Sequence, residues 1–344
     1  MQLFFHRVDL RLKHTFTIAH DSRDVQPTLI VELRDGPFSG FGEATATRYY
    51  GITIGGMVAS LEAIRSIIEG YDLVDPEQFW AAMHPHFADN PFAQCALDQA
   101  AWDLWAKKQG QPLYKCWQLD PENSPISDYT IGLDTPERMV EKMQERPWPL
   151  YKIKLGRPAE DIELVRTLRQ HTDAVFRVDA NCGWSAAEAI AKSIQLRDLD
   201  VEFIEQPLPA NDWEGAKKVY QQSVLPIIAD ESCIVESDVD RCAGYFHGVN
   251  IKLTKCGGLT PARRMIARAR ALNLRVMVGC MTESSVGISA IAQLLPLLDY
   301  ADLDGAMLIA NDPAAGVTFD YGRVVYATEN GTGVRLLPYE QSAA

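Results

Sequence analysis

Between residues 127 and 305 the chain repeats one pattern eight times: a short apolar run, usually closed by charge, and then in most cases a longer stretch with helical spacing. The runs are SDYTIGL, LYKIKLG, VFRVDAN, EFIEQP, PIIADES, GVNIKLT, RVMVGCM and YADLDG. Helical periodicity fills residues 158–171, 185–198, 211–222, 260–273 and 284–298. Short strands alternating with helices imply parallel pairing. Eight such units between residues 127 and 305 point to a closed α/β barrel of the TIM type more than to an open doubly wound sheet.

The first third reads differently. TLIVELRDG and FSGFGEATA alternate like strands joined by glycine turns, and helical patterns follow near 57–69 and 92–109. That order predicts an antiparallel sheet followed by helices. Proline, serine and asparagine cluster in LDPENSPIS, residues 119–127, where the rhythm changes and a domain boundary is expected. The tail from about residue 313 reads as strand and loop that return to the N-terminal part.

Composition narrows the partners. A formal net charge of −13 argues against a nucleic-acid or anionic-membrane surface and favours a metal cation or a cationic substrate. No apolar stretch approaches the length of a membrane span, and MQLFFHRVDLRLKH has too short an apolar run for a secretory signal. Seven cysteines, an odd set without a CxxC pair, suit a reducing, cytoplasmic setting.

The chemistry sits at the strand ends, where a barrel of this type carries its active site. Lys152 and Lys154 share one face of the second run, while Ile153 and Leu155 point the other way. The third run ends at Asp179, then Asn181; the fourth at Glu205; the fifth at Asp230 and Glu231; the sixth at Lys252; the eighth at Asp302 and Asp304. Any one charged terminus fits a solvated rim or a helix cap, but six together call for another reason. Asp179, Glu205 and Asp230 are spaced by 26 and 25 residues, one strand–helix unit each, so the three carboxylates converge. Unpaired, they repel and titrate upward. A hard cation such as Mg²⁺ relieves this and leaves positions open for substrate, and pairing to lysine or arginine is the other way out. Strands two and six lie opposite one another among eight, so the lysines flank the acids from both sides. Opposed bases fit proton transfer at the α-carbon of a carboxylate, through an enediolate stabilised by metal and ammonium. A base lysine needs a depressed pKa, which a neighbouring ammonium and a dication would supply.

KIK (152–154), VDAN (178–181), IEQP (204–207), ADES (229–232) and NIKLTKCGG (250–258) together resemble the enolase superfamily, muconate lactonizing enzyme subgroup, over essentially the full length. The resemblance implies an α+β capping domain over residues 1–122, completed by 313–344, and a (β/α)7β barrel over 123–312. It implies one Mg²⁺ per subunit on Asp179, Glu205 and Asp230, and Lys154 and Lys252 as paired acid/base catalysts. Lys152 would neutralise the substrate carboxylate, with Asn181 and Glu231 in support. On strand eight, Asp302 and Asp304 match the Asp-x-Asp motif by which dipeptide epimerases hold a free α-ammonium group. The bland reading of that stretch is an acidic turn before a loop.

Residues 17–27, TIAHDSRDVQP, resemble the mobile loop that closes over substrate in these enzymes, and Arg23 would pair there with an acidic second residue. TRYYG (47–51) offers a second cover, with Tyr49 and Tyr50 as contacts or as packing aromatics. Glu283 either orients a substrate amide or Lys252, or caps the next helix. The expected function is a Mg²⁺-dependent dipeptide epimerase acting at the α-carbon of the C-terminal residue. L-Ala-D/L-Glu, derived from peptidoglycan, is the family's default substrate, and homo-oligomers are its habit. The alternatives are an N-acylamino acid racemase or o-succinylbenzoate synthase and a muconate cycloisomerase-type enzyme. A Schiff-base aldolase and a non-catalytic scaffold are more distant ones.

Overall fold

The structure is a computed structural model that describes residues 1–18 and 21–339. An antiparallel sheet opens the chain: β1 (Gln2–Ile18), β2 (Asp21–Asp35) and β3 (Phe38–Thr45), in that spatial order. Facing pairs include Leu3↔Leu33, Phe5↔Val31 and Leu29↔Ala44. One face of this sheet packs on the helix Pro91–Lys108. Gly40 and Gly42, two residues apart on β3, allow that contact. A Cβ on Gly40 would meet Ala100 O at 2.2 Å, and one on Gly42 would meet Ala96 O at 2.1 Å. Glycine is the residue that lets backbone approach backbone this closely.

From residue 129 on, eight parallel strands follow: β4 (Tyr129–Ile131), β5 (Leu150–Lys154), β6 (Val175–Asp179), β7 (Val201–Glu205), β8 (Ile227–Ala229), β9 (Gly248–Ile251), β10 (Arg275–Gly279) and β11 (Tyr300–Asp302). They neighbour one another in sequence order. The ends meet through a parallel bridge between Ser127 and Ala301. Helices fill every connection between consecutive strands, and a 3-10 turn, Gly305–Met307, follows β11. The architecture is the expected (β/α)7β barrel with an N-terminal antiparallel-sheet part. Outward residues such as Ile153, Val178, Ile204 and Ile251 join the helices in the main apolar cluster. Inside, Phe203, Ile228, Met277 and Tyr300 form a small apolar layer.

Several details differ from the sequence reading. Short helices at Pro76–Met83, Pro136–Glu145 and Glu236–Cys242 were not expected. The pattern at 57–69 is two helices, Ile54–Ala63 and Arg65–Gly70. Of the segment 17–27, residues 17–18 and 21–27 belong to strands β1 and β2, and Ala19 and His20 lie outside the described residues. The tail divides: Val334, Leu336 and Tyr339 pack with Val8, Leu10 and Ile30, while Gly322 O accepts the Ser127 N–H of the barrel.

Two buried carboxylates, Glu43 on the sheet and Asp98 on the helix Pro91–Lys108, join the N-terminal part to the barrel. Glu43 on β3 accepts the Ser284 and Gly287 N–H groups and the Ser284 hydroxyl, capping the helix Ser285–Ala292. Asp98 accepts the Thr260 N–H at 2.9 Å and its hydroxyl at 2.7 Å. Burial pushes Asp98 up to about 7, against the pull of the Thr260 donors. A carboxyl raised on folding contributes stability that is complete below its ordinary 3.8 and is lost as pH rises through about 7. Asp98→Asn is therefore expected to flatten the fall in denaturation midpoint between about pH 4 and pH 7. Denaturant titration of both proteins across that range checks it, and identical slopes refute it.

Candidate active site

Strand register brings the sequence-predicted residues to one end of the barrel. Lys154 lies level with Asp179, and Asp179 with Glu205. Asp230 follows β8, and Lys252 follows β9. Asp179, Glu205 and Asp230 are buried, and a carboxylate oxygen from each lies within 4.8 Å of the other two.

The two lysines engage different members of this row. Lys154 Nζ stands 2.6 Å from Asp179 Oδ2, and Lys252 Nζ stands 2.8 Å from Asp230 Oδ2. β5 and β9 are four strands apart among eight, so the amines approach the acids from opposite sides. Lys152 shares the face of Lys154 but sits one layer deeper. It is 1% exposed, lies 2.8 Å from both Glu205 and Asp302 and 3.5 Å from Asp179, and is not among the residues that line the cavity. Below it, Arg177 pairs with Asp128 at 2.9 Å and lies over the Phe203 and Tyr300 rings.

The titration behaviour follows from this packing. Burial works to raise Asp179, but Lys154 and Lys152 outweigh it and hold the carboxyl below its ordinary value. Burial, aided by Asp179 and Asp230, raises Glu205 despite Lys152. Asp230 is held low: burial opposes this, and Lys252 and Lys255 prevail. Lys252 is governed by the same row of acids. Burial lowers it, yet Asp230, 2.8 Å away, lifts it above the ordinary range.

Above the acids lies a cavity of about 360 Å³, of the size that takes a small ligand. Its barrel wall includes Lys154, Asn181, Glu231, Lys252, Asp302 and Asp304. Asn181 donates its N–H to Asp179 Oδ1 at 2.9 Å, from a left-handed backbone at φ 45°. Burial and the Asp230 charge push Glu231 up to about 7. Asp304 is likewise pushed up to about 7, by burial and by Asp302, while its Oδ2 accepts the Thr130 N–H at 2.6 Å. The sheet side contributes Phe16 and Arg23 from the hairpin and Thr47, Arg48, Tyr49 and Tyr50 after β3. Arg23 donates to Gln26 Oε1 at 2.5 Å. Tyr50 packs edge-on to Tyr49 and tilts against Phe92. Glu283 is buried behind this wall, not on it, and accepts the Met281 N–H at 2.9 Å.

Sequence reasoning passed over Lys255, Asn250 and Cys280. Lys255 is fully enclosed and donates to Asp230 Oδ1 and to the Asp230 carbonyl, both at 2.6 Å. Asn250 donates to Glu205 Oε1 at 2.7 Å. Its position two residues before Lys252, on the same strand face, was the available signal.

Comparison with known proteins agrees with this geometry. Residues 2–116 match the mandelate racemase/muconate lactonizing enzyme N-terminal domain, and residues 135–339 match the enolase C-terminal domain-like family. The chain belongs to this enolase-type family. Within it, the similarity runs to dipeptide epimerases. An L-Ala-D/L-amino acid epimerase of Flavobacterium johnsoniae is 58% identical, across 98% of this chain and 100% of that one. An L-Ala-D/L-Glu epimerase of Bacteroides thetaiotaomicron is 38% identical, across 97% and 88%. A crystal structure of the dipeptide epimerase of Enterococcus faecalis, with Mg and L-Leu-L-Tyr, superposes with a TM-score of 0.91 at 31% identity, covering 97% of this chain and 98% of that one.

Lys255→Met removes the enclosed donor that holds Asp230 and leaves a buried carboxylate short of a partner. A loss of about 3–5 kcal/mol is expected, read from denaturant titration at neutral pH. A loss within about 0.5 kcal/mol, the range of ordinary surface changes, would contradict it.

Proposed function

We propose that this chain is a Mg²⁺-dependent dipeptide epimerase, with Lys154 and Lys252 as its two proton-transfer groups. The observation that carries the reading is the pair of amines on strands four apart, each against a different carboxylate of one buried row. Asp179, Glu205 and Asp230 would hold the cation. They are hard oxygen donors suited to magnesium, and Glu205 Oε2 is buried with no hydrogen bond among the described residues despite the nearby Lys152. Bound there, magnesium stabilises negative charge developing on a substrate carboxylate.

The chain's own residues do the rest. One lysine takes the proton from the α-carbon, and the lysine on the other side returns one to the opposite face, inverting the centre. Lys152 and the proton-returning lysine carry positive charge beside the growing negative charge, and the base lysine gains it as it takes the proton. Asn181 steadies Asp179 through its N–H. Asp302 and Asp304, on the cavity wall, receive the free α-ammonium of the dipeptide, a cation that N-acyl amino acids and muconate lack. Arg23 and the Tyr49–Tyr50 pair face the second side chain, and the phenyl ring of Phe16 adds an apolar surface. Dipeptides with N-terminal L-Ala are the proposed substrates, with L-Ala-L-Glu first among them, in keeping with the relatives' names. Glu283 acts from behind by holding the Met281 backbone. We place the enzyme in the cytoplasm as a homo-oligomer. Among the described residues no helix is long and apolar enough to cross a membrane.

Mass spectrometry of L,L-dipeptide mixtures in D₂O tests this. Deuterium is expected at the α-carbon of the C-terminal residue, lost on metal chelation and restored by Mg²⁺. Lys154→Ala and Lys252→Ala should each lower turnover by about 10²–10⁴-fold, and Asp302→Asn should raise KM for free dipeptides. Exchange confined to N-acylated substrates would overturn the dipeptide assignment.

A further inference from the structure

Strands β10 and β11 end in a second group of metal-ligating side chains, distinct from the three carboxylates. Cys280 follows β10, and its N–H donates to the carbonyl of Asp302 at 2.9 Å, which fixes the two strand ends side by side. The Cys280 thiol lies 4.0 Å from Asp304 Oδ1. One ligand atom from each of Cys280, Asp302 and Asp304 lies within 4.8 Å of the other two. Both aspartates are more than nine-tenths buried, at 4% and 2% exposure.

Their oxygens are only half committed. Asp302 Oδ2 accepts from Lys152 at 2.8 Å, and Asp304 Oδ2 from Thr130 N–H at 2.6 Å. Asp302 Oδ1 is buried and has no hydrogen-bond partner among the described residues. An enclosed anionic oxygen of this kind calls for a cation. An ammonium satisfies the two aspartates but makes no use of the sulfur beside them. A thiolate is a soft donor that selects zinc-like ions over magnesium, and three protein ligands facing a cavity leave a fourth position open.

We propose that Cys280, Asp302 and Asp304 form a second cation site that takes a thiophilic divalent metal, zinc or cadmium, and that the bound metal excludes the dipeptide's ammonium group. On binding, the Cys280 thiol releases its proton to water and a sulfur–metal bond takes the place of the S–H bond. One oxygen of each aspartate completes the protein's share. Zn–S near 2.3 Å and Zn–O near 2.0 Å put such ligands roughly 3.5 Å apart. The trio closes by about an ångström through side-chain rotation toward the cavity, which all three residues line. Burial, Asp302 and Asp304 hold the thiol proton tightly, and the same carboxyl pair draws a dication, whose arrival also releases any proton held on Asp304 to water. The hard site of Asp179, Glu205 and Asp230 keeps magnesium. Only the exclusion of the ammonium rests on the proposed role of Asp302 and Asp304; the metal site stands on its own geometry.

Cadmium titration of the full chain saturated with Mg²⁺ tests it, followed by the ultraviolet thiolate-to-cadmium absorbance band and by equilibrium dialysis. The band should appear with about one cadmium per chain, and Cys182→Ser, at a thiol whose neighbours include Glu231 and Asp179, should leave it in place. Cys280→Ser should abolish it and weaken cadmium binding by about 100-fold, and Asp304→Asn should weaken binding by about 10–100-fold. Absence of the band in the parent protein, or its persistence in Cys280→Ser, overturns the site. L-Ala-L-Glu in excess should displace the cadmium. A Cys280-dependent band that the dipeptide leaves untouched overturns the exclusion and counts against the ammonium role, while the site remains.

Discussion

Three carboxylates with oxygens inside 4.8 Å of one another, closed off from bulk water, repel strongly unless positive charge is brought to them. Much of the barrel interior can be read as the answer to that repulsion. Lys154 and Lys255 hold the outer acids from the mouth and from the wall, Lys252 shares Asp230, and Lys152 reaches Glu205 from beneath. The layer below repeats the device with Arg177 between Asp128 and Glu202. Removing one partner from such a set leaves an uncompensated buried charge, which is far more damaging than losing a surface pair. A closed barrel suits this arrangement because inward residues of neighbouring strands converge on one axis, whereas an open sheet would spread them along a line.

The N-terminal sheet is bound to this core through a helix with little free surface. Pro91–Lys108 is buried for most of its length: Ala96 and Ala100 meet the glycines of β3, while Asp98 and Trp102 reach Thr260 of the barrel. Trp80 adds an indole N–H to Gly257 O at 2.9 Å. Glu43 reaches from the sheet into the barrel. The sheet is thereby held where its hairpin and the segment after β3 cover the acids.

Much of the barrel was legible in the amino-acid order because strand–helix alternation and charge at strand ends are both local signals. The three carboxylates could be placed together by spacing, and Lys252 opposite Lys154 by its strand number. Depth could not: Lys152 and Lys154 share a face, but a period of two says nothing of which lies a layer lower. Asn250 and Arg177, inside strands, and Asp128, just before one, escaped notice because a polar residue there looks the same whether it faces solvent or a buried charge. Lys255 lies in a short helical turn after the strand, where the strand period no longer applies. The 17-residue β1 was not read as a strand because its charged residues mask the alternation. Cys280 entered only as one of seven cysteines, since nothing in a lone cysteine announces the two aspartates that tertiary structure brings beside it.

The cavity draws its walls from two parts of the chain. The hairpin residues Phe16 and Arg23 and the stretch from Thr47 to Tyr50 leave the same end of one sheet, whereas both lysines and all three clustered acids come from the barrel. Mutation of the first set can reshape the sheet-side wall of the cavity without disturbing the lysines and carboxylates of the barrel. A scaffold divided in this way lets one lobe vary while the charged row in the other stays as it is.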